Sequence, residues 1–203
     1  MVTEQNCDFA ATPVLENEFV RLEPLGAGHQ DALAAAAADG ELWRTWYTSV
    51  PSPKAVDREI QRRLTLQQKG QMAPWAVVDP GTGDAVGMTT YMQIDAPNRR
   101  VEIGSTWIGR QVQGTGLNPA MKLLLLQRAF EDLECIAVEF RTHWHNYQSR
   151  TAIARLGAKQ DGVLRNHQIM DNGTLRDTVV FSILDSEWPA VRAGLEHRLE
   201  RRR

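Results

Sequence analysis

The sequence predicts an α/β fold in which one mixed sheet is flanked by helices. Three observations predict it. Apolar and polar residues alternate in short runs such as "FVRLEPLG", the pattern of half-buried strands. Helix-forming stretches with apolar residues three and four apart stand between those runs. Two hairpin cues, "PGTG" and "DNGTLR", join neighbouring strands. The element order is β-α-α-β-β-β-α-β-α-β-β-α, without an internal repeat, a low-complexity linker or a second core. A chain of 203 residues suits a single domain. Residues 1–18 read as an N-terminal extension, 19–184 as the domain and 185–203 as a C-terminal helix.

Each element has its own reason. "FVRLEPLG" alternates and ends in glycine. "AGHQDALAAAAADGELWRTW" is helical because alanine favours helix, and Gly40 divides it. "SPKAVDREIQRRLTLQQKG" is a helix with Ser52 as candidate cap, Pro53 in the first turn and Gly70 at its close. "PWAVVD" and "AVGMTTYMQID" pair across "PGTG", and "APNRR" turns the chain into the strand "VEIGSTWIG". A glycine turn then leads into a helix from Leu117 to Glu131, whose broad apolar surface suits packing on a sheet. In "CIAVEFRTH", Ile136, Val138 and Phe140 share one face of a strand, with Glu139 and Arg141 on the other. "NYQSRTAIARLGA" is a short helix closed by Gly157. "GVLRNHQIM" and "DTVVFSIL" pair across Asn172-Gly173, and "DSEWPAVRAGLEHRLERRR" is a last helix with Ser186 as candidate cap.

The chain is 42% hydrophobic and 24% charged, an ordinary globular composition, and its formal charge of -2 gives no global reason to expect nucleic acid as a partner. The basic ending "EHRLERRR" is the exception, and a solvated helix end accounts for it. Cys7 and Cys135 have no paired framework around them, and Cys135 reads as a buried, reduced thiol. No basic start precedes an apolar block, and the run Leu123–Leu126 is far too short for a bilayer. The expectation is a cytoplasmic protein without a membrane segment.

"RQVQGTGLNPAMKLLLLQ" carries the most chemistry. Glycine at 114 and 116 removes the β-carbons that keep a ligand off the backbone. The N–H groups of Gln113, Gly114, Thr115, Gly116 and Leu117 then point outward at a helix start, a nest suited to pyrophosphate. The turn lacks both the third glycine of the dinucleotide fingerprint and the Gly-Lys-Ser/Thr of an NTPase loop. From the turn alone, a structural role and a ligand role carry equal weight.

The pattern Gln111-x-x-Gly114-x-Gly116 between strand and helix resembles the acyl-coenzyme A signature of the GNAT N-acetyltransferase superfamily. So does "NYQSRTAIARLGA" downstream, with Asn146, Ser149, Arg150 and Gly157. Within the superfamily, "NYQSR", the paired N-terminal helices and "GTLRDTVVFSI" look most like the RimJ/RimL group. The resemblance implies a mostly antiparallel sheet, splayed between the strands flanking the glycine turn. It implies acetyl-coenzyme A as donor, its pyrophosphate at Gln113 to Leu117, with Gln111 and Arg150 in the matching motifs. The pantetheine arm would meet the backbone of Trp107 and Ile108 and the side chain of Asn146. The acceptor would be a primary amine on a protein N-terminus or a small molecule, acetylated in a ternary complex. Family habit also allows a homodimer.

Acetyl transfer to an amine needs a base, an oxyanion donor and an acid for the thiolate. The resemblance points to Glu102 as base, although a solvent-facing strand carboxylate reads the same way. A backbone N–H near Thr106 would serve the oxyanion. The tyrosine that the family often carries seven residues after the asparagine is Ile153 here. Ser149 is the RimL-like substitute, or else a cap. That departure leaves open a sensor of the same fold that holds the coenzyme with little catalysis. Trp43, Trp46 and Tyr47 either close the core or wall the acceptor slot, and His167 either borders the slot or is an ordinary strand residue. His143 and His145 share one face, but no further ligand completes a metal site. Arg176-Asp177 reads as a structural ion pair.

Overall fold

Alternating residues and glycine turns resolve into eight strands, and the computed structural model describes the chain over residues 8–202. In chain order the strands are β1 (Leu15–Asn17), β2 (Val20–Pro24), β3 (Met72–Val78), β4 (Ala85–Asp95), β5 (Arg100–Ile108), β6 (Ala137–His143), β7 (Lys159–Ile169) and β8 (Leu175–Leu184). They form one sheet in the order β1-β2-β3-β4-β5-β6-β8-β7. Each pair of neighbours is antiparallel except β5 and β6, which run parallel. The helices are α1 (Gln30–Ala38), α2 (Val56–Gln68), α3 (Leu117–Gln127), α4 (Tyr147–Ala154) and α5 (Trp188–Glu200). The α/β class, the element order from Phe19 onward and both hairpin turns are as the sequence predicts.

Alternation on β3 shows how the layers form. Ala73, Trp75 and Val77 pack into one core cluster with α3, α4 and α5, while Ala76 and Val78 pack into a second with α1 and α2. A strand covered on both faces is buried along its whole length, and β3 is. Tyr91 on β4 donates its hydroxyl to the Leu125 carbonyl and so ties the sheet to α3. Cys135 is buried and free, and burial pushes its thiol up to about 12, which keeps it protonated and unreactive. Cys7 lies outside the described residues. Among the described residues no helix is long and apolar enough to cross a membrane.

Several local expectations are revised. The segment set apart as an N-terminal extension contributes β1, which pairs Leu15 with Leu22. Asn17 turns it into β2 by accepting from the N–H groups of Phe19 (2.9 Å) and Val20 (3.1 Å). Phe9 is buried in the core, and Trp75 Nε1 donates to the Pro13 carbonyl at 2.9 Å. Three residues are too few for alternation to reveal a strand.

The helix expected to reach Glu131 stops at Gln127 and widens into a π-turn over Arg128–Asp132. That turn stacks Phe130 on Trp188 (centroids 5.5 Å apart) and sets Glu131 against Trp188 Nε1 at 3.0 Å. Ser186 is not the cap of α5, whose N-cap position is Glu187; the Glu187 carboxylate accepts from the Leu184 N–H at 3.0 Å across the preceding 3-10 turn. Ser52 makes no side-chain cap either, and Pro53 opens a short 3-10 turn before α2. β6 begins at Ala137, leaving Ile136 substantially exposed. Asp177 pairs with Arg165 (2.6 Å) and not with Arg176, since adjacent strand residues point to opposite faces.

Candidate active site

The parallel pairing of β5 and β6 spans only Arg100–Glu102 against Ala137–Glu139. Beyond it β5 runs on to Ile108 and β6 to His143, so the two strands part. A bulge in β5 widens the gap: Thr90 pairs with Gly104 and Met88 with Trp107, leaving two residues of β5 opposite one of β4. Ser105, in the bulge, has a φ of 46°. The buried Arg63 of α2 holds it there, donating to the Ser105 carbonyl (2.9 Å) and to Thr90 Oγ1 (2.7 Å) while Glu59 accepts from its Nε (2.7 Å). The bulge turns Thr106 toward α3 and Trp107 into the core beneath α1.

The gap opens into a cavity of about 870 Å³ bordered by Trp107, Ile108, Gln113, Gly114, Thr115 and Asn146. Ser149, Tyr47 and Ile153 border it as well. At one end lies the glycine turn, where Gly114 has a φ of +76° and an added Cβ would meet no atom within 4 Å. Glycine there serves conformation, not space. The nest is smaller than expected. The Gln113 N–H bonds to the Arg110 carbonyl (3.1 Å) and the Leu117 N–H to Thr115 Oγ1 (3.2 Å). The N–H groups of Gly114, Thr115 and Gly116 have no partner among the described residues. Gln111 does not border the cavity; its N–H anchors the turn to Asp39 at 2.7 Å.

Asn146 caps α4, its Oδ1 accepting from the Ser149 N–H at 3.0 Å, which leaves its side-chain N–H₂ free to donate. The Ser149 hydroxyl has no partner in the described residues. Arg150 lies outside the cavity, over the Trp144 ring at 4.2 Å. Ile153, in the tyrosine place, is buried and adds only alkyl surface.

Glu102 is 5% exposed and lies along Gly104, where an added Cβ would sit 2.7 Å from Glu102 Oε1. It opens on a second, smaller cavity of about 700 Å³, and Arg141 borders both cavities. Arg141 Nε approaches Glu102 Oε2 at 3.5 Å. Burial outweighs that attraction and pushes the Glu102 carboxyl up to about 7.

Tyr47 reaches the cavity, while Trp46 covers His143 (centroids 5.3 Å apart) and Trp43 stays outside with Arg44. His167 is exposed and meets Thr178 Oγ1 through Nδ1 at 3.0 Å. The His143 and His145 rings are 5.5 Å apart, and no group of three or more metal-ligating side chains occurs among the described residues.

Three features escape sequence reasoning. Lys122 of α3 is buried in the cavity floor, its Nζ donating to Thr106 Oγ1 at 3.1 Å, with no carboxylate in salt-bridge range among the described residues. Burial holds its ammonium down to about 7. Arg198 and Arg202, read as a solvated helix end, border the cavity, and Arg202 donates to the Gly114 carbonyl at 2.9 Å. Arg176 of β8 borders it from the other strand.

The chain matches the acetyltransferase (GNAT) domain over residues 20–159. It is 34% identical over 106 residues to a Bacillus subtilis protein named ribosomal N-acetyltransferase YdaF, a match covering 52% of this chain and 57% of that relative's length. A GCN5-related N-acetyltransferase from Brucella melitensis superposes with a TM-score of 0.82 at 30% identity, over 92% of this chain and 85% of that one. RimL, a ribosomal L7/L12 alpha-N-protein acetyltransferase, shares the fold with a TM-score of 0.72 at 15% identity, over 85% and 98%. The GNAT resemblance carried by the glycine turn and "NYQSRTAIARLGA" is met. The chain belongs to the GNAT acetyltransferase family.

Proposed function

We propose that this protein acetylates a primary amine from acetyl-coenzyme A, by direct transfer in a ternary complex in the cytoplasm. The observation that carries the reading is the parted β5–β6 pair ending at three unpartnered N–H groups. The gap offers backbone donors and acceptors to an extended, amide-bearing arm, and the N–H groups at the start of α3 suit a pyrophosphate. Arg198 and Arg202 add positive charge at that end, as a nucleotide with several phosphates requires.

In the transfer, the amine nitrogen forms a bond to the thioester carbonyl carbon and the carbon–sulfur bond breaks. One proton leaves the nitrogen and one is gained by the departing thiolate. Glu102 is the proposed base, reaching the amine through water since it borders the neighbouring cavity. Ser149 is the proposed donor to the sulfur, and the Thr106 N–H the donor to the oxyanion. Trp107, Ile108 and Asn146 would hold the arm.

The test is free-thiol release with acetyl-coenzyme A against peptides of differing first residue, polyamines and aminoglycosides, with calorimetric titration of the coenzyme. Binding with turnover on one acceptor class supports the reading. Binding without turnover favours the sensor that Ile153 suggests, and absence of binding overturns the assignment of the glycine turn. The arginines give a further expected result. The double variant Arg198→Ala, Arg202→Ala raises the Kd for coenzyme A about tenfold at low ionic strength. The difference shrinks in high salt. An unchanged Kd at low salt would remove both side chains from the phosphate site.

A further inference from the structure

We infer that the acceptor amine carries a carboxylate, which Arg176 and His143 bind at the cavity wall formed by β6 and β8. This deepens the proposed function by naming the acceptor's chemical class, and it rests on that reading.

Arg176 is half-buried and borders the cavity. Its Nε donates to Thr178 Oγ1 at 2.9 Å, and no carboxylate lies within salt-bridge distance among the described residues. The neighbouring arginines differ. Arg141 pairs with Glu139 (2.9 Å) and Glu102 (3.5 Å), and Arg165 takes Asp177 (2.6 Å). Arg176 therefore borders the cavity with only the longer-range attraction of the buried Glu102 carboxyl and no ion-pair partner among the described residues, and a guanidinium accepts nothing in return.

His143 stands beside it, opposite Thr178 in the β6–β8 register. It is 3% exposed. Nδ1 accepts from the His145 N–H at 3.1 Å, so the neutral ring carries its proton on Nε2. Nε2 is buried and has no partner. Burial, Arg176 and His145 all hold the ring below the usual histidine range, which keeps it neutral. The Thr178 hydroxyl, already receiving from Arg176, meets His167 Nδ1 at 3.0 Å.

This wall of the cavity thus carries N–H groups that lack oxygens, the His143 Nε2–H among them beneath the Trp46 ring. A buried donor left unpaired is costly, so the ligand that completes the site brings acceptors. A carboxylate matches a guanidinium fork with two parallel hydrogen bonds. A polyamine would bring only more donors and an aminoglycoside no anion, and both would set positive charge against Arg176. The shared chemistry, a primary amine with a carboxylate, belongs both to a free amino acid and to a peptide with an acidic first residue.

The experiment compares peptides beginning with Glu or Asp against those beginning with Gln or Asn, with free glutamate and spermidine as further arms. The expected kcat/KM for the acids is about tenfold or more above their amide counterparts, the scale of a polar contact left unpaired in the poorer substrate. Arg176→Met collapses that ratio toward one, Arg176→Lys restores part of it, and Arg165→Met, outside the cavity, leaves it unchanged. Turnover of free glutamate or of the acidic peptide tells the two sources apart. Equal use of acids and amides, or preference for spermidine, overturns the inference.

A binding measurement separates its failure from failure of the transfer reaction. N-acetylglutamate and N-acetylglutaminamide, which has no carboxylate, are titrated by NMR into the full chain with coenzyme A present. An Arg176-dependent preference for the acid supports the inference even without turnover, and its absence overturns it.

Discussion

Glu102→Gln lowers kcat by about 10²–10³-fold, within the range expected for removing a general base. The Glu102 carboxyl is pushed up to about 7 by burial, so the wild-type rate rises with pH through about 7 as the base form appears. A peptide α-amine loses its own proton near 8, so the wild-type profile holds two limbs. The variant keeps only the limb of the acceptor. A pH series of kcat/KM on both proteins checks this, and a limb near 7 that survives in the variant removes Glu102 from the role. Stability gives an independent reading. A carboxyl whose pKa is raised by folding favours the native state below the unfolded value of 4.5 and loses that contribution as pH rises through about 7. Glu102→Gln should therefore be more stable than wild type by about 2–3 kcal/mol at pH 8, with the gap closing below pH 5.

Lys122→Met is expected to stabilise the fold and to weaken the site. The ammonium of Lys122 is held down from 10.5 to about 7, so the unfolded chain binds the extra proton between those values. Wild-type stability consequently climbs as pH rises from 7 to 10.5. A methionine of similar shape removes the cost of burying the amine and gains about 2–4 kcal/mol at pH 7. That advantage fades toward pH 10.5. Denaturant titrations at pH 7 and 10 read it directly. In the same variant the Kd for acetyl-coenzyme A rises about tenfold, because the cavity floor loses a hydrogen-bond donor beside Thr106. A gain in stability with an unchanged Kd would make Lys122 a structural relic. Both effects together show stability given up for a site.

The parts of the site legible in sequence are those built from local chemistry. Gly114 and Gly116 declare a turn because few other residues take that backbone, and Asn146 declares a cap three residues before Ser149. The parts that were not legible depend on where distant elements meet. Lys122 sits in "AMKLLLLQ", whose apolar surface is so broad that a lysine reads as its solvent edge. Arg198 and Arg202 look like an ordinary basic helix end until α5 returns to Gly114. Arg63 reads as one more charge in "QRRL", and only the bulge at Ser105 gives it a task. Arg176 reads as the ion-pair partner of its neighbour Asp177, although the two face opposite sides of β8. The π-turn after Gln127 has no local signal, and its Phe130 and Glu131 meet the distant Trp188.

The short parallel pairing also bears on how the molecule breathes. Three paired residues per strand join the half-sheet β1 to β5 with the half formed by β6, β8 and β7. Such a narrow seam is a natural boundary between cooperative opening units. Amides along the inner edge of β6, from Phe140 onward, should exchange with deuterium well before those of β3, which is buried on both faces. A ligand bridging the gap would slow that exchange on both sides at once. The seam would then behave as a clasp, with two independently fluctuating halves becoming one body for as long as the bridge is in place.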